Sequence, residues 1–337
     1  MSSSKQNELE FQSDTIEEVL RSQNIQCQVI GGASTPLVDT FEIVIPKSVR
    51  INRVLSLGDE LSVALGKPNV RITKRDARLF AEVPKAVALS NGVLDLLNTT
   101  HGLPAFCALL GLDTDGKPLV LRLTSPEVAH VLIAGTTGSG KTVLLRSMIT
   151  SLAFWNRQRS LQLVLIDPKG RGFEPMAKLP HTLGGVIINP HQAAQRLKEL
   201  VREMERRDAA KISEPRIIVA IDELVDLLDV AGDEVRTPIT RLCQRGREAG
   251  IHVIAATQKP SASVIGGMMK ANFPVRLIGR VASKDEARHA TGLAKSGAEL
   301  LSGRGDFLLI HNAQAERFKA AWLNAEMYDK ILRRIVG

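Results

Sequence analysis

Gly135-Thr136-Thr137-Gly138-Ser139-Gly140-Lys141-Thr142 is the stretch on which the fold turns. It fits G-x-x-x-x-G-K-[ST] throughout, and its flanks fit too. An apolar run, His130 to Ala134, leads in, and a helical pattern from Thr142 to Ala153 leads out. The glycines let the backbone curl so that successive N–H groups face one anion. The first turn of the following helix adds partial positive charge. Lys141 then reaches the outer phosphates of a nucleoside triphosphate, and the Thr142 hydroxyl suits a Mg²⁺ ion. ATP and Mg²⁺ are the expected cofactors, with all of Gly135 to Thr142 as the cradle.

Around this loop, short apolar runs alternate with helical segments. The runs are Leu161 to Ile166, Val186 to Ile188, Ile217 to Ile221, Val253 to Ala256, Val275 to Ile278 and Phe307 to Ile310. Runs rich in Val, Ile and Leu, with little alternation, suit strands covered on both faces of a parallel sheet. Segments such as Gln192 to Arg207 supply the crossover helices. Residues 101–337 are therefore expected to form a three-layer α/β domain.

Ile217 to Ile221 ends in Asp222 and Glu223. At the carboxyl end of a strand expected beside the loop, Asp222 is placed to hold Mg²⁺ and Glu223 to polarise the attacking water. Taken alone, Asp222 reads more commonly as a helix N-cap, and it is the neighbouring phosphate loop that favours the metal role. Asp167 closes the run before it and is a rival ligand. Because Pro168 and Lys169 follow, a charge-paired turn is its expected role.

Upstream the pattern differs. Met1 to Ser13 is rich in Ser and Gln, and a capping pattern at Thr15 and Glu18 opens a helix through Arg21, so residues 1–30 are expected as a flexible tail and short helix. A turn at Gly31 to Pro36 follows. Then come a strand at Phe41 to Ile45, a helix at Leu57 to Leu65 stopped by Gly66-Lys67-Pro68, and strands at Val70 to Ile72 and Leu79 to Val83. Residues 31–100 thus read as a small α+β domain.

The net charge of +8 and pI near 9.5 favour a polyanionic partner. Aromatic residues are only 4% of the chain, too few for a platform that stacks single-stranded bases. Cys27, Cys107 and Cys243 are isolated, without metal-ligand or redox spacing. The polar first ten residues are unlike a secretory leader, and no apolar run is long enough to span a membrane. The expectation is a soluble, cytoplasmic protein without an intrinsic membrane segment.

With these features in hand, the chain resembles the FtsK/SpoIIIE family of the FtsK–HerA group of P-loop ATPases. The blocks that carry the likeness are Val131 to Thr142, Ile166-Asp-Pro-Lys169, Glu203-Met-Glu-Arg-Arg207, Ile221-Asp-Glu223, Ala249-Gly-Ile-His252 and Ala256-Thr-Gln-Lys-Pro-Ser261, followed by Lys270-Ala-Asn272, Ser283-Lys284 and Gly305-Asp306. Thr40 to Val49 and Asn52 to Pro68 resemble the small domain that precedes the family's motor. The resemblance implies a RecA-like, ATP-hydrolysing motor that assembles as a hexamer and moves along double-stranded DNA threaded through its centre.

It also implies residue roles. Thr257-Gln258, expected on a strand between the Asp222 edge and the sheet border, matches the segment that senses the γ phosphate. Arg247 falls where the family places the arginine that completes a neighbour's site, and Arg241 and Arg245 are expected on the same helix. Lys259, Lys270, Lys284 and Arg288 match its DNA-facing loops, where cations hold phosphates without reading bases. The family usually has Arg where Lys259 stands, and the segment Asp208 to Pro215 is short for the family. The family's membrane helices and C-terminal winged-helix domain have no counterpart here, so septum anchoring and sequence-directed loading are not expected.

Two other readings fit parts of the pattern. One is a conjugation or secretion coupling ATPase that moves DNA or protein with a membrane partner. The other is a DNA-binding module with a nucleotide switch, and the intact set Lys141, Thr142, Asp222 and Glu223 argues against it.

Overall fold

The structure is a computed structural model that describes residues 3–35, 38–75, 77–85, 92–258 and 272–337. The chain divides into two compact units, Met1–Ser90 with Thr114–Lys117, and Asn91–Asp113 with Pro118–Gly337.

The first unit holds α1 (Ser3–Ser22), β1 (Gln28–Ser34), β2 (Val38–Val44), α2 (Ile51–Leu55), α3 (Gly58–Leu65), β3 (Arg71–Arg75) and β4 (Arg78–Pro84). Its four strands form an antiparallel sheet in the order β1-β2-β4-β3. The core gathers Ile16 and Leu20 from α1, Leu61 and Leu65 from α3, and Phe41, Ile72 and Ala81 from the sheet. Here α1 begins well before Thr15, where the capping pattern had placed the helix. Its buried side chains, Gln12, Ile16 and Leu20, recur every fourth residue, so one face is fixed by packing although the composition is polar. The Gly31–Pro36 stretch also differs from expectation, because Gly31 and Gly32 lie within β1. A Cβ on Gly32 would overlap the Thr40 carbonyl oxygen, so glycine here serves close strand pairing rather than a turn.

The second unit contains α4 (Val93–Thr99), β5 (Cys107–Asp113), β6 (Pro118–Arg122), β7 (Val131–Ala134), α5 (Lys141–Trp155), β8 (Leu161–Ile166), β9 (Thr182–Ile187), α6 (Pro190–Ala210) and β10 (Arg216–Ile221). It continues with α7 (Leu224–Ala231), α8 (Asp233–Arg245), β11 (Ile251–Thr257), β12 (Val275–Ile278), α9 (Lys284–Thr291), β13 (Asp306–His311), β14 (Gln314–Ala320) and α10 (Ala325–Val336). Its ten strands run β6-β5-β14-β13-β12-β7-β11-β10-β8-β9. From β12 to β9 the pairing is parallel. From β12 to β6 it is antiparallel, so the sheet is mixed rather than purely parallel.

Alternate side chains of each central strand feed different layers. In β10, Ile218 and Ala220 pack with Leu144, Met148 and Leu152 of α5, whereas Ile217, Val219 and Ile221 pack with α6, α7 and α8. That two-sided burial explains the near-continuous apolar runs. Ala134 pairs with Thr257, and Ile221 pairs with Ala255 on one side and Ile166 on the other, so the loops after β7, β11, β10 and β8 emerge along one edge. In α/β sheets this carboxyl edge is where ligands bind.

Candidate nucleotide site

The loop between β7 and α5 is shaped by its glycines. Gly135, Gly138 and Gly140 have φ of +152°, +81° and +100°, conformations that side chains disfavour. A Cβ on Gly140 would come within 3.0 Å of Gly305 N. The loop is also tied to its surroundings. Thr136 N donates to Arg280 O at 2.7 Å, Arg304 N to Gly138 O at 3.0 Å and Gly305 N to Ser139 O at 2.8 Å. The turn that supplies the last two bonds is braced in turn: Arg317 makes a two-pronged pair with Asp306 at 2.8 and 2.7 Å, and Lys319 Nζ donates to Arg304 O at 2.8 Å.

Lys141 Nζ donates to the Gly135 and Thr136 carbonyls at 2.8 and 3.0 Å, so its cation sits inside the hollow of the loop. Burial pulls its pKa below the ordinary lysine value, and the charges of Glu223 and Asp222 oppose that shift. Thr142 Oγ1 lies 3.2 and 3.3 Å from the two oxygens of Asp222. Burial raises the Asp222 carboxyl, and the neighbouring charge of Asp167 raises it further. A hard divalent cation accepts this hydroxyl–carboxylate pair and offsets the crowding of negative charge. The residues present therefore fit Mg²⁺. They also fit a triphosphate, since Ser139 Oγ is buried without a hydrogen-bond partner beside the lysine-filled hollow.

Glu223 is 5% exposed and has a left-handed φ of +73°. Its Oε1 accepts from Thr257 Oγ1 at 3.2 Å and from Gln258 N at 3.0 Å. Its Oε2 lies 3.5 Å from Lys169 Nζ, which also pairs with Asp226 at 2.9 Å. Gln258 Oε1 accepts from Thr137 Oγ1 at 2.9 Å, joining the end of β11 to the phosphate loop.

Two placements correct the sequence reading. The strand carrying Asp222 is not directly beside β7, because β11 lies between them, and for the same reason Thr257-Gln258 is not on the border side of Asp222. A strand inserted there puts Thr257 within reach of Glu223, an arrangement that chain order does not reveal. Asp167 is not paired with Lys169 either. It is wholly buried and accepts from the backbone N–H groups of Lys169, Gly170, Gly172 and Phe173 at 2.6–3.2 Å, fixing the loop from which Lys169 reaches across. Sequence reasoning missed this role of Lys169. The signal available was the Ile166-Asp-Pro-Lys169 block itself.

Arg247 lies outside this cluster. It sits in the turn Gly246–Gly250, after α8 has ended at Arg245, so it does not share the helix of Arg241 and Arg245. Those two tie α8 to α6, through Arg241–Glu205 at 2.6 Å and Arg245–Asp208 at 2.8 Å. Arg247 has a 43% exposed side chain and, among the described residues, an ion pair only with adjacent Glu248, at 3.7 Å. Its turn enters the amino end of β11, whereas Thr257 and Gln258 leave the carboxyl end. Lys284 and Arg288 are exposed and one turn apart on α9. Lys259 and Lys270 lie outside the described residues.

A glycine-shaped phosphate loop, a Thr–Asp pair beside it and a buried glutamate after the acidic strand, all on one edge of a three-layer sheet, define a P-loop ATPase. The FtsK alpha domain matches residues 1–82, and the FtsK/SpoIIIE family model matches residues 98–214 and 208–262. The chain belongs to the FtsK/SpoIIIE family.

Among its relatives is a protein named DNA translocase FtsK from Leptospira interrogans (serovar copenhageni). It is 34% identical over 349 residues, covering 94% of this chain and 36% of the relative. Another protein of that name, from Staphylococcus epidermidis, is 31% identical over 364 residues, covering 98% and 45%. The chain thus spans less than half the length of these relatives. Among solved structures, the pCW3 conjugation coupling protein TcpA, in its monomer form with ATPγS, has a TM-score of 0.64 at 22% identity, covering 96% of this chain and 99% of TcpA. The cytoplasmic domain of the type VII secretion ATPase EccC from Thermomonospora curvata has a TM-score of 0.64 at 24% identity, covering 74% and 34%. At these identities the shared property is the fold. No helix among the described residues is long and apolar enough to cross a membrane.

Proposed function

We propose that the protein is an ATP-driven motor that moves along double-stranded DNA as a ring, with each nucleotide site shared between protomers. Lys141 and the backbone of Gly135 to Thr142 bind the phosphates, and Thr142 and Asp222 hold Mg²⁺. When bound there, the ion would supply neutralisation of the phosphate charge. Glu223 orients the attacking water and accepts its proton.

The observation that carries the reading is the connection around Glu223. Its carboxylate bonds Thr257 and the Gln258 amide, and Gln258 bonds Thr137 of the phosphate loop. A change in the γ phosphate is thereby felt at Gln258, next in sequence to Lys259. Gln258 is the proposed sensor, and Lys259, Lys270, Lys284 and Arg288 are the proposed contacts to DNA phosphates. Such contacts are weak and independent of sequence, which permits stepping.

The position of Arg247 favours a shared site. The seven residues of β11 separate its turn from the glutamate edge, about 20 Å at roughly 3.3 Å per residue, so Arg247 is out of reach of its own site. A guanidinium stays charged and can fork onto phosphate oxygens, which suits it to complete the site of an adjacent copy. A hexameric ring acting in the cytoplasm, where duplex DNA and ATP are both present, is the assembly this reading expects.

The test pairs ATPase assays with triplex displacement on linear duplex, alongside particle images to count subunits. Strong stimulation by duplex DNA and triplex release are expected. A monomer with nucleotide and duplex present, whose hydrolysis ignores the duplex, would refute the reading.

A further inference from the structure

Arg207 is a buried charge that the nucleotide site does not explain. It stands near the end of α6 and is 2% exposed. Neighbouring Arg206 faces solvent and pairs with Glu203 from outside, at 2.7 Å. Arg207 turns inward. Its Nε donates to Glu203 Oε1 at 2.7 Å, and its Nη1 donates to the carbonyls of Pro215 at 2.7 Å and Ala249 at 3.0 Å. A guanidinium at this depth needs such matched acceptors.

Ala249 belongs to the Gly246–Gly250 turn, the one that carries Arg247. Backbone bonds also hold that turn: Gly246 N to Leu242 O and Ile251 N to Gly246 O, both 2.7 Å, and Ile217 N to Gly250 O at 2.9 Å. Its glycines leave no alternative. Gly250 has φ of +72°, and a Cβ there would overlap the Ser213 carbonyl oxygen. The result is a turn locked from below that still displays Arg247 outward. Fixing a charged group in place before its partner arrives is how an enzyme avoids reorganisation during reaction.

We infer that Arg207 is a positioning residue, a buried bracket that sets the height and direction of Arg247 toward the nucleotide site of a second copy of this chain. The inference rests on the shared-site reading above. Lysine cannot replace Arg207, since a single ammonium on a flexible stem does not span Glu203 and two carbonyls at fixed angles.

The test uses Arg207→Lys in the full chain. Its own phosphate loop and Glu223 are untouched, so it should bind a fluorescent ATP analogue as the parent does. Its turnover should fall roughly 10-fold or more, as expected when a transition-state group is slightly misplaced. Mixed with Glu223→Gln subunits, which keep a good Arg247 but cannot hydrolyse, it should regain turnover. Mixed with Arg247→Ala subunits it should not, since neither copy supplies a well-placed arginine. A merely structural role for Arg207 would also weaken analogue binding, and Glu223→Gln subunits would not rescue it; either result overturns the bracket. If Arg207→Lys does not fold, Glu203→Gln, which loosens the orienting carboxylate, carries the same expectations. The two failures separate. Normal turnover by Arg207→Lys, with Arg247→Ala dead and rescued, overturns the bracket alone, whereas normal turnover by Arg247→Ala overturns the shared site itself.

Discussion

Glu223 combines a left-handed backbone, near-complete burial and two donors from the end of β11. A non-glycine residue held there costs on the order of 1–3 kcal/mol, a strain that functional sites tolerate. Thr257→Val keeps the shape and removes the hydroxyl; turnover is expected to fall about 10-fold with nucleotide affinity unchanged, since one orienting hydrogen bond is lost. A drop in affinity instead would show that Thr257 shapes the pocket. The position of Asp222 and Glu223 straight after an apolar run made their placement at the end of β10 legible in the sequence. The contacts of Lys169 and Arg207 were not, because each partner is brought near only by tertiary packing. The buried histidines were equally hidden. His130 Nδ1 accepts from Val253 N, and His252 Nδ1 donates to Ala129 O while its Nε2 faces the donor Arg216 Nη1 at 3.4 Å, so both rings are neutral. Burial, and then the charge each would feel from its neighbours, depresses His130 to about 3, while burial chiefly depresses His252 to about 4. Groups depressed on folding leave stability intact above the unfolded value near 6.5 and erode it as pH falls toward those folded values. The melting temperature should drop steeply between pH 6.5 and 4, and His130→Asn should flatten that slope. An unchanged slope would count against this assignment.

At the level of elements, the central strands announced themselves because burial on both faces leaves little room for polar residues. Observed β8 and β12 share their boundaries with the apolar runs, and β7 starts one residue inside its run. The antiparallel half was harder to see. β14, Gln314–Ala320, is polar along one side and mostly exposed at its start, so no apolar run marks it. β1 carries two glycines and a register shift between Val29 and Gly31. Its pairing comes from β2, not from its own composition. One ion pair anchors the hairpin of β13 and β14: Asp306, 5% exposed, accepts both prongs of Arg317 and two bonds from Ser302. Burial works against the Asp306 charge, yet the bonds from Arg317 hold its pKa below the ordinary carboxylate value. Asp306→Ala strips those bonds from Arg317 and should cost about 3–5 kcal/mol in urea unfolding. A loss under about 1 kcal/mol would mean that the pair is effectively solvated.

For the whole molecule, each unit has its own apolar core. We propose that residues 1–30 and 31–100 precede a motor domain at 101–337, with α1 as part of the first fold. Residues 1–90 expressed alone should show a cooperative thermal transition by circular dichroism; a featureless melt would argue that the unit needs the rest of the chain. The order of strands in the larger unit also has a mechanical meaning. Toward β13, the phosphate loop is fastened by two backbone bonds, from Arg304 and Gly305 to Gly138 and Ser139. Toward β11, its apex is held by one side-chain bond, from Thr137 to Gln258. It therefore resembles a door hinged along one jamb and latched lightly on the other. On the proposed reading, a phosphate that arrives or departs would strain the latch before the hinge, and Gln258 would be the first residue to feel it.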